Sequence, residues 1–209
     1  MKAITLATLL IVSRCLATEW VIVEGGLSPN KQFAVAVYPQ KTEFIDEADG
    51  TVLLVDARTE RKIGPLEEVD SRGGTWGKTT ENVRCQWSPD SKLLLVNFRT
   101  GRLMGGAQFY RVAKRRAILM KLPDGKGHPK SKVLDMLTTT ANPGSEASFA
   151  KDGAIIVRAW GFMPKAQHID EDFAMLGLKG FDGVLIFRHE LQKDGSLRLT
   201  DITTDPGKN

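Results

Sequence analysis

The arrangement of apolar and polar residues along this chain repeats three times. Each copy places a polar turn between an apolar residue and a run of β-forming residues: LSPNKQFAVAVY from Leu27, WSPDSKLLLVNF from Trp87 and FAKDGAIIVRAW from Phe149. The turns are 60 residues apart from Ser28 to Ser88, and 62 apart from Ser88 to Ala150. Self-similarity at a regular period indicates a repeat architecture, and short runs rich in valine, leucine and isoleucine between turn residues predict strands.

Each copy continues with a second apolar run and then a weaker strand candidate. The second runs lie at 51–56, 116–122 and 183–188, and the weaker candidates lie at 62–69, 132–138 and 196–203. We therefore predict four strands in each copy and an all-β chain. The middle two strands of each copy are apolar on both faces, which is typical of strands covered by neighbouring sheets on both sides. The one helical candidate, at 171–178, is short and lies in a connection.

The first strand of the second copy alternates clearly between its two faces. Val83, Cys85 and Trp87 fall on one face, and Arg84 and Gln86 fall on the other. We predict that the first face points into the protein. Cys85 is then a small buried hydrophobe and not a nucleophile, because a thiol buried in apolar surroundings is unreactive.

A family resemblance rests on the turn and strand of the second copy. WSPDSKLLLV resembles the strand-turn-strand motif of the WD-repeat-like propellers of TolB-type bacterial proteins, and VLLVDARTERKI is similar to the hairpin that follows in such a blade. The match weakens at Asn30, which stands in place of Asp, and at Ala150 and Lys151, which stand in place of Ser-Pro. The resemblance implies an array of three four-stranded antiparallel propeller-type blades, at about 20–69, 82–138 and 146–203, in a closed or partial β-propeller. It implies no particular activity.

Three blades are fewer than the roughly 4–8 of closed propellers. The missing closure has three alternative explanations. The chain associates with itself as a homo-oligomer, it forms an open array with modified edges, or a fourth blade is built from the chain ends, with Glu19 to Val23 beside the final strand.

The N-terminal 17 residues have the pattern of a signal peptide. Lys2 precedes an apolar stretch at 3–12, and cleavage is expected after Ala17. Lipidation at Cys15 is the alternative, which Arg14 disfavours. We predict export to the periplasm or the extracellular space, with residues 18–209 as a single domain and no transmembrane segment.

Charge and composition change the expected partners only a little. Cleavage would leave 27 basic and 25 acidic residues, a net charge of +2, so we predict no nucleic-acid partner. The cationic run at 111–121 is interpreted as a solvated strand edge. No metal is predicted at HIDED, 168–172, because His128 and His189 lie in other parts of the chain, and no cofactor is predicted.

Long connections place the predicted binding residues at one end of the repeats. The connections at 39–50, 99–115 and 161–182, together with those at 70–82 and 138–146, would lie at the end opposite the tight turns. Aromatic and arginine side chains on loops are favoured recognition groups. The predicted binding residues are Trp76, Arg99, Arg102, Trp160 and His168. The alternative for each is plain packing of the aromatic ring or solvation of the charge.

The chain contains no G-x-S-x-G motif, and no catalytic residue is predicted. The expected function is therefore an exported non-enzymatic binding or scaffolding module for a protein, a glycan or an anionic small ligand. One alternative is an exported hydrolase acting on glycans or cell-wall material through loop carboxylates such as Asp170 and Asp172. A degenerate propeller fragment with no ligand is the other.

Overall fold

The computed structural model describes residues 20–38, 51–69, 82–99, 105–123, 128, 141–162 and 184–205. All regular secondary structure in these ranges is β-strand, which confirms the predicted all-β class. The first four strands are β1 (Val21–Leu27), β2 (Phe33–Tyr38), β3 (Thr51–Asp56) and β4 (Arg61–Pro65). The next four are β5 (Val83–Trp87), β6 (Leu93–Arg99), β7 (Gly105–Ala113) and β8 (Arg116–Met120). The last four are β9 (Ala141–Phe149), β10 (Ile155–Phe162), β11 (Val184–Leu191) and β12 (Leu197–Asp205). The part of the chain described here includes no helix with the length and hydrophobicity of a membrane span.

The strands pair in three antiparallel groups of four, which we call unit 1 (β1–β4), unit 2 (β5–β8) and unit 3 (β9–β12). Units 1 and 2 form one eight-stranded sheet, joined by a parallel pairing of β1 with β5 at Glu24 and Arg84. Unit 3 is a separate four-stranded sheet. Because β1 pairs with β2 and β5, the alternative that placed it beside the final strand is wrong.

The strand assignment in the second copy needs one correction. The predicted connection at 99–115 contains β7, and the apolar run at 116–122 begins with β8, the fourth strand of unit 2 and not the third. A two-residue turn of Lys114 and Arg115, with φ of 49° and 58°, joins the two strands. Hairpin turns of this kind usually carry Asn-Gly or Asp-Gly, so two cationic residues gave no turn signal. The other candidates at 132–138 and 171–178 lie outside the described residues.

Two apolar clusters pack the three units in series. The cluster between units 1 and 2 includes Val35, Val37 and Leu54 on one side, and Leu94, Val96 and Tyr110 on the other. The cluster between units 2 and 3 includes Leu95 and Phe109 against Ile155, Val157 and Phe187. Strand β6 therefore contributes alternate residues to both clusters, which confirms that this middle strand is covered on both faces.

Cys85 lies in the cluster between units 1 and 2, with 5% of its surface exposed. Burial raises the pKa of its thiol well above the ordinary value. Val83 is buried on the same face and Trp87 is partly buried, whereas Arg84 and Gln86 are exposed on the other. The predicted orientation of this strand and the predicted burial of Cys85 are both confirmed.

The turn between the first two strands of units 1 and 2 is held by its serine. The Ser28 hydroxyl accepts a hydrogen bond from the Phe33 N–H at 2.9 Å, and the Ser88 hydroxyl accepts one from the Leu93 N–H at 2.9 Å. The Ser88 hydroxyl also donates to Asp90 at 2.7 Å, which is the main reason why the pKa of Asp90 is lowered. The Ser-Pro-Asx motif is thus a structural turn.

The corresponding turn of unit 3 is one residue shorter. Leu27 pairs with Ala34 and Trp87 with Leu94, but Phe149 already pairs with Ile155. Ile155 therefore occupies the position of Leu94, although the alignment of the three sequence stretches places it opposite Leu93. Because a shift of one residue turns a strand's side chains to the opposite face, the shorter turn decides which apolar residues of β10 face unit 2.

Polar contacts also tie unit 1 to unit 2. The Trp87 indole N–H donates to the Gly26 carbonyl at 2.9 Å. Arg115 contacts Asp56 at 2.7 Å, and the side chain of Asp56 is only 5% exposed. The backbone N–H of Thr59 lowers the pKa of Asp56, with Arg115 as a further cause. Within the run at 111–121 that was interpreted as a solvated edge, the exposed side chain of Arg115 thus also pairs with a carboxylate of the neighbouring unit.

Strands β1 and β5 approach closely at Gly25. This residue has φ of 67°, and a Cβ atom added to it would lie 2.0 Å from the Cys85 carbonyl oxygen. A residue with a side chain would be strained in this conformation and would also push the two backbones apart.

We predict that Gly25→Ala costs about 3 kcal/mol or more of unfolding free energy, because backbone strain and a steric clash add together. Gly153→Ala is the matched control, since Gly153 has φ of 85° but no atom within 4 Å of an added Cβ. That variant should lose only about 1 kcal/mol. Urea denaturation of both variants measures the difference, and equal losses would show that the β1–β5 contact is dispensable.

His189 on β11 is the buried imidazole of unit 3. Its exposed fraction is 3%, and its Nδ1 atom has no hydrogen-bond partner within the described structure. Burial lowers its pKa from 6.5 to about 4. The folded protein therefore disfavours the protonated ring.

Stability should consequently fall as the pH drops from about 6.5 to about 4. The unfolded chain takes up a proton in this range and the folded chain does not, so protons favour unfolding by up to about 3 kcal/mol. Urea titrations at pH 7 and pH 4.5 measure the loss, and His189→Leu should largely remove it. An unchanged pH dependence in that variant would contradict the assignment.

Candidate functional site

Two of the five predicted binding residues lie in the described part of the chain. Arg99 is exposed at the end of β6, where it pairs with Gly105 at the start of β7. Trp160 lies near the end of β10 and pairs with Gly144 of β9. Trp76, Arg102 and His168 lie outside the described residues, as do Asp170 and Asp172.

The half-buried ring of Trp160 packs on glycine backbone. A Cβ atom at Gly144 would lie 2.5 Å from the indole Nε1, and one at Gly105 would lie 3.9 Å from Cζ2. Gly105 is also the strand partner of Arg99. The structure thus brings the Trp160 ring to the end of unit 2 where Arg99 lies.

A cleft of about 490 Å³ lies between strands β1, β5, β6 and β9. Its polar side chains come from all three units: Glu24 from unit 1, Arg84, Gln86 and Asn97 from unit 2, and Glu146 and Ser148 from unit 3. Arg84 and Gln86 line it because they alternate with the buried residues of β5. The contribution of β5 to the lining therefore follows from the alternation of side chains along that strand.

None of the cleft residues was among the predicted binding residues, and Glu24 and Glu146 are the two carboxylates of the cleft. Each lies on the first strand of its unit, and each has an arginine partner: Glu24 contacts Arg84 at 3.1 Å, and Glu146 contacts Arg158 at 3.8 Å. The side chains of Glu24 and Arg84 are 72% and 68% exposed, so their pairing adds little to stability. Their charged groups remain accessible to a ligand.

Asn97 fixes the wall that unit 3 contributes to the cleft. Its Nδ2 donates to the Ala147 carbonyl at 2.9 Å, and its Oδ1 accepts from the Ala147 N–H at 2.7 Å. The side-chain amide thereby takes the place of a neighbouring strand. Gln86 adds a weaker contact, since its Oε1 accepts from the Phe149 N–H at 3.2 Å.

The chemistry of the cleft is that of polar recognition. Carboxylates, a guanidinium, amides and a hydroxyl offer both donors and acceptors of hydrogen bonds. Glu146 lies two residues from Gly144 along β9 and on the same face as Trp160, although the Trp160 ring does not itself line the cleft. Within the described ranges, no three His, Cys, Asp or Glu side chains come together as a metal site.

Comparisons with known proteins leave the family open. No family model matches the chain, and no curated protein sequence matches it. Among solved structures, a prolyl endopeptidase is similar at 12% identity and a TM-score of 0.30, over 90% of this chain and 36% of that one. TolB from Acinetobacter baumannii is similar at 13% identity and a TM-score of 0.32, over 88% of this chain and 43% of that one. The chain thus spans less than half of either structure, and TM-scores below 0.5 support no argument about fold or function.

Asn97→Leu should lower the free energy of unfolding by about 2–4 kcal/mol, because it leaves the N–H and C=O of Ala147 without their partner. Gln86→Leu is the matched control, which loses one longer, exposed hydrogen bond and should cost less than about 1 kcal/mol. Urea denaturation measures both losses, and amide hydrogen exchange should show reduced protection at Ala147 in the first variant alone. Equal losses in the two variants would refute the bridging role of Asn97.

Proposed function

We propose that this chain is an exported, non-enzymatic binding module that holds a glycan in the cleft between its three units. In this proposal the units are propeller-type blades in a closed or partial array, and residues 1–17 are a signal peptide that directs residues 18–209 to the periplasm or the extracellular space. Nucleic acid is not a partner in this proposal, and self-association remains one route to closing the array.

The proposal rests on the convergence of polar side chains from the first strands of all three units. Glu24, Arg84 and Glu146 line one cleft although 60 and 62 residues separate them along the chain. A structural repeat needs no charged residue at this position, because the apolar clusters between the units already provide the packing. Polar residues gathered in a concave site on rigid strands are typical of ligand binding.

A glycan suits the chemistry of this surface better than an anionic ligand does. Sugar hydroxyl groups both donate and accept hydrogen bonds, and the cleft offers carboxylate acceptors beside arginine and amide donors. Two carboxylates would repel an anion. In this proposal the ring of Trp160, on the same face of unit 3 as Glu146, supplies an apolar surface beside the cleft. The predicted binding residues Arg99, at the end of β6, and Arg102 would extend the site.

An exported glycan hydrolase is the second candidate, because Glu24 and Glu146 line the same cleft. Glycoside hydrolysis uses a pair of carboxyl groups, one of which must donate a proton. Here Glu24 pairs with Arg84 and Glu146 pairs with Arg158, so both carboxylates belong to a set of charged groups that could hold a sugar without reacting with it. The mixture of donors and acceptors from all three units makes binding the first candidate. A degenerate fragment with no ligand is the remaining alternative.

Arg84→Ala and Glu146→Gln should each weaken glycan binding by at least about tenfold, equivalent to 1.4 kcal/mol, because each removes a charged hydrogen-bonding group from the cleft. Titration calorimetry with cell-wall oligosaccharides and soluble polysaccharide fragments measures the affinities. Arg198→Ala is the matched control, since Arg198 forms an exposed pair with Glu190 at the same 3.1 Å distance, on a part of unit 3 that does not line the cleft.

Equal affinity of Arg84→Ala, Glu146→Gln and the control Arg198→Ala for the glycan would contradict the proposal. So would the absence of any glycan binding by the folded wild-type protein. Mass spectrometry of the incubated glycans distinguishes the hydrolase. Shortened products that disappear in both Glu24→Gln and Glu146→Gln would favour catalysis over simple binding.

A further inference from the structure

Among the residues that the structure describes, the outer strand of unit 2 presents an unpaired backbone edge. β8 is the last strand of the eight-stranded sheet, and within the described ranges it pairs with β7 alone. The two-residue turn makes Ala113 and Arg116 a hydrogen-bonded pair, and bonded and non-bonded pairs alternate from there. Ala117 and Leu119 therefore direct their N–H and C=O groups away from β7. Consistent with this, Val112 opposite Ala117 donates its N–H to the Lys92 carbonyl at 2.7 Å.

A groove of about 360 Å³ runs beside this edge, between β8 with residues 121–123 and the turn that joins β11 to β12. Its apolar side chains include Ile118, Leu122 and Leu197. Ile118 is 43% exposed and Leu122 is 38% exposed, although both are large aliphatic residues. An unpaired strand edge next to exposed aliphatic side chains is the combination that an added strand requires.

The charge around the groove indicates what kind of strand would fit. Arg111 lines it, with its guanidinium against Gly195, and Lys121 lines it beside Leu122. The adjoining turn contains Asp194, but its carboxylate accepts hydrogen bonds from the N–H and the hydroxyl of Ser196, at 2.9 Å and 2.7 Å. The charged groups that line the groove are thus basic, which favours an acidic partner.

We propose that the β8 edge and this groove bind an extended acidic peptide, which adds to the eight-stranded sheet as a ninth strand. The backbone of the peptide pairs with Ala117 and Leu119. On the groove side, an apolar side chain of the peptide packs against Ile118 and Leu122, and a carboxylate lies beside Arg111 or Lys121. This surface is separate from the polar cleft, so the proposal stands or fails independently of glycan binding.

The probe is a fluorescein-labelled peptide of ten residues with the repeating sequence threonine-valine-threonine-glutamate, which presents valine and glutamate on one face of a strand. Fluorescence anisotropy should show saturable binding to the full chain. Replacing the glutamates with lysine should weaken binding at least about tenfold through charge repulsion. Methylating the amides on the β8-facing side should abolish binding, because the strand can no longer donate hydrogen bonds.

Two variants locate the site. Ala117→Pro removes an outward N–H that the hairpin does not use, so the fold should tolerate it while peptide binding falls at least about tenfold. Ile118→Asp leaves the backbone edge intact and places a negative charge in the groove, which should weaken binding similarly even if the proline variant is destabilised. Thermal unfolding measurements show whether both variants remain folded.

Three outcomes would overturn the proposal: no binding by the folded wild type, equal binding of the methylated peptide, or full affinity in both variants. Sedimentation tests the remaining alternative, in which a second copy of this chain occupies the edge. A wild-type dimer that Ala117→Pro converts to a monomer would assign the edge to a second copy of this chain.

Discussion

The contact between the backbones of β1 and β5 at Gly25 is the constraint on which the rest of the structure depends. It is the point where unit 1 joins unit 2 in a single sheet, and the absence of a side chain allows the Cys85 carbonyl to lie against it. The same contact places Val23 and Cys85 in a shared apolar cluster. It also sets Glu24 beside Arg84 on the opposite face, so one wall of the cleft follows directly from a backbone approach.

Unit 3 is attached by different means. No strand of unit 3 pairs with the eight-stranded sheet in the described ranges, and its contacts with that sheet include an apolar cluster and the side-chain amides of Asn97 and Gln86. Apolar packing is non-directional, whereas the two hydrogen bonds of Asn97 fix the position of Ala147 relative to β6. The cleft therefore has one wall set by backbone geometry and another set by a single side chain.

The sequence was sufficient to predict the structural features that depend on residues close together along the chain. The all-β class, the tight serine turns and the two faces of β5 all follow from residues that are neighbours along the chain. β7 was missed because Gly105 and Gly106 resemble a loop, although a Cβ at Gly106 would lie 2.5 Å from the Phe98 ring, so the position needs glycine for packing. The cleft was missed because Glu24 and Glu146 meet only through the packing of the three units, and no local pattern distinguishes them from other surface acids.

The shorter turn of unit 3 has a consequence for how the three copies are compared. With one turn residue fewer, Ile155 stands at the position of Leu94 and Val157 at the position of Val96. In both units these residues face the preceding unit, because Leu94 and Val96 pack toward unit 1 and Ile155 and Val157 pack toward unit 2. The hydrogen-bonded pair that closes the turn moves with the strand, so the turn is the part of the repeat whose length can differ without turning the strand over. An alignment of the third copy without a gap in this turn would place its inward residues on the wrong face.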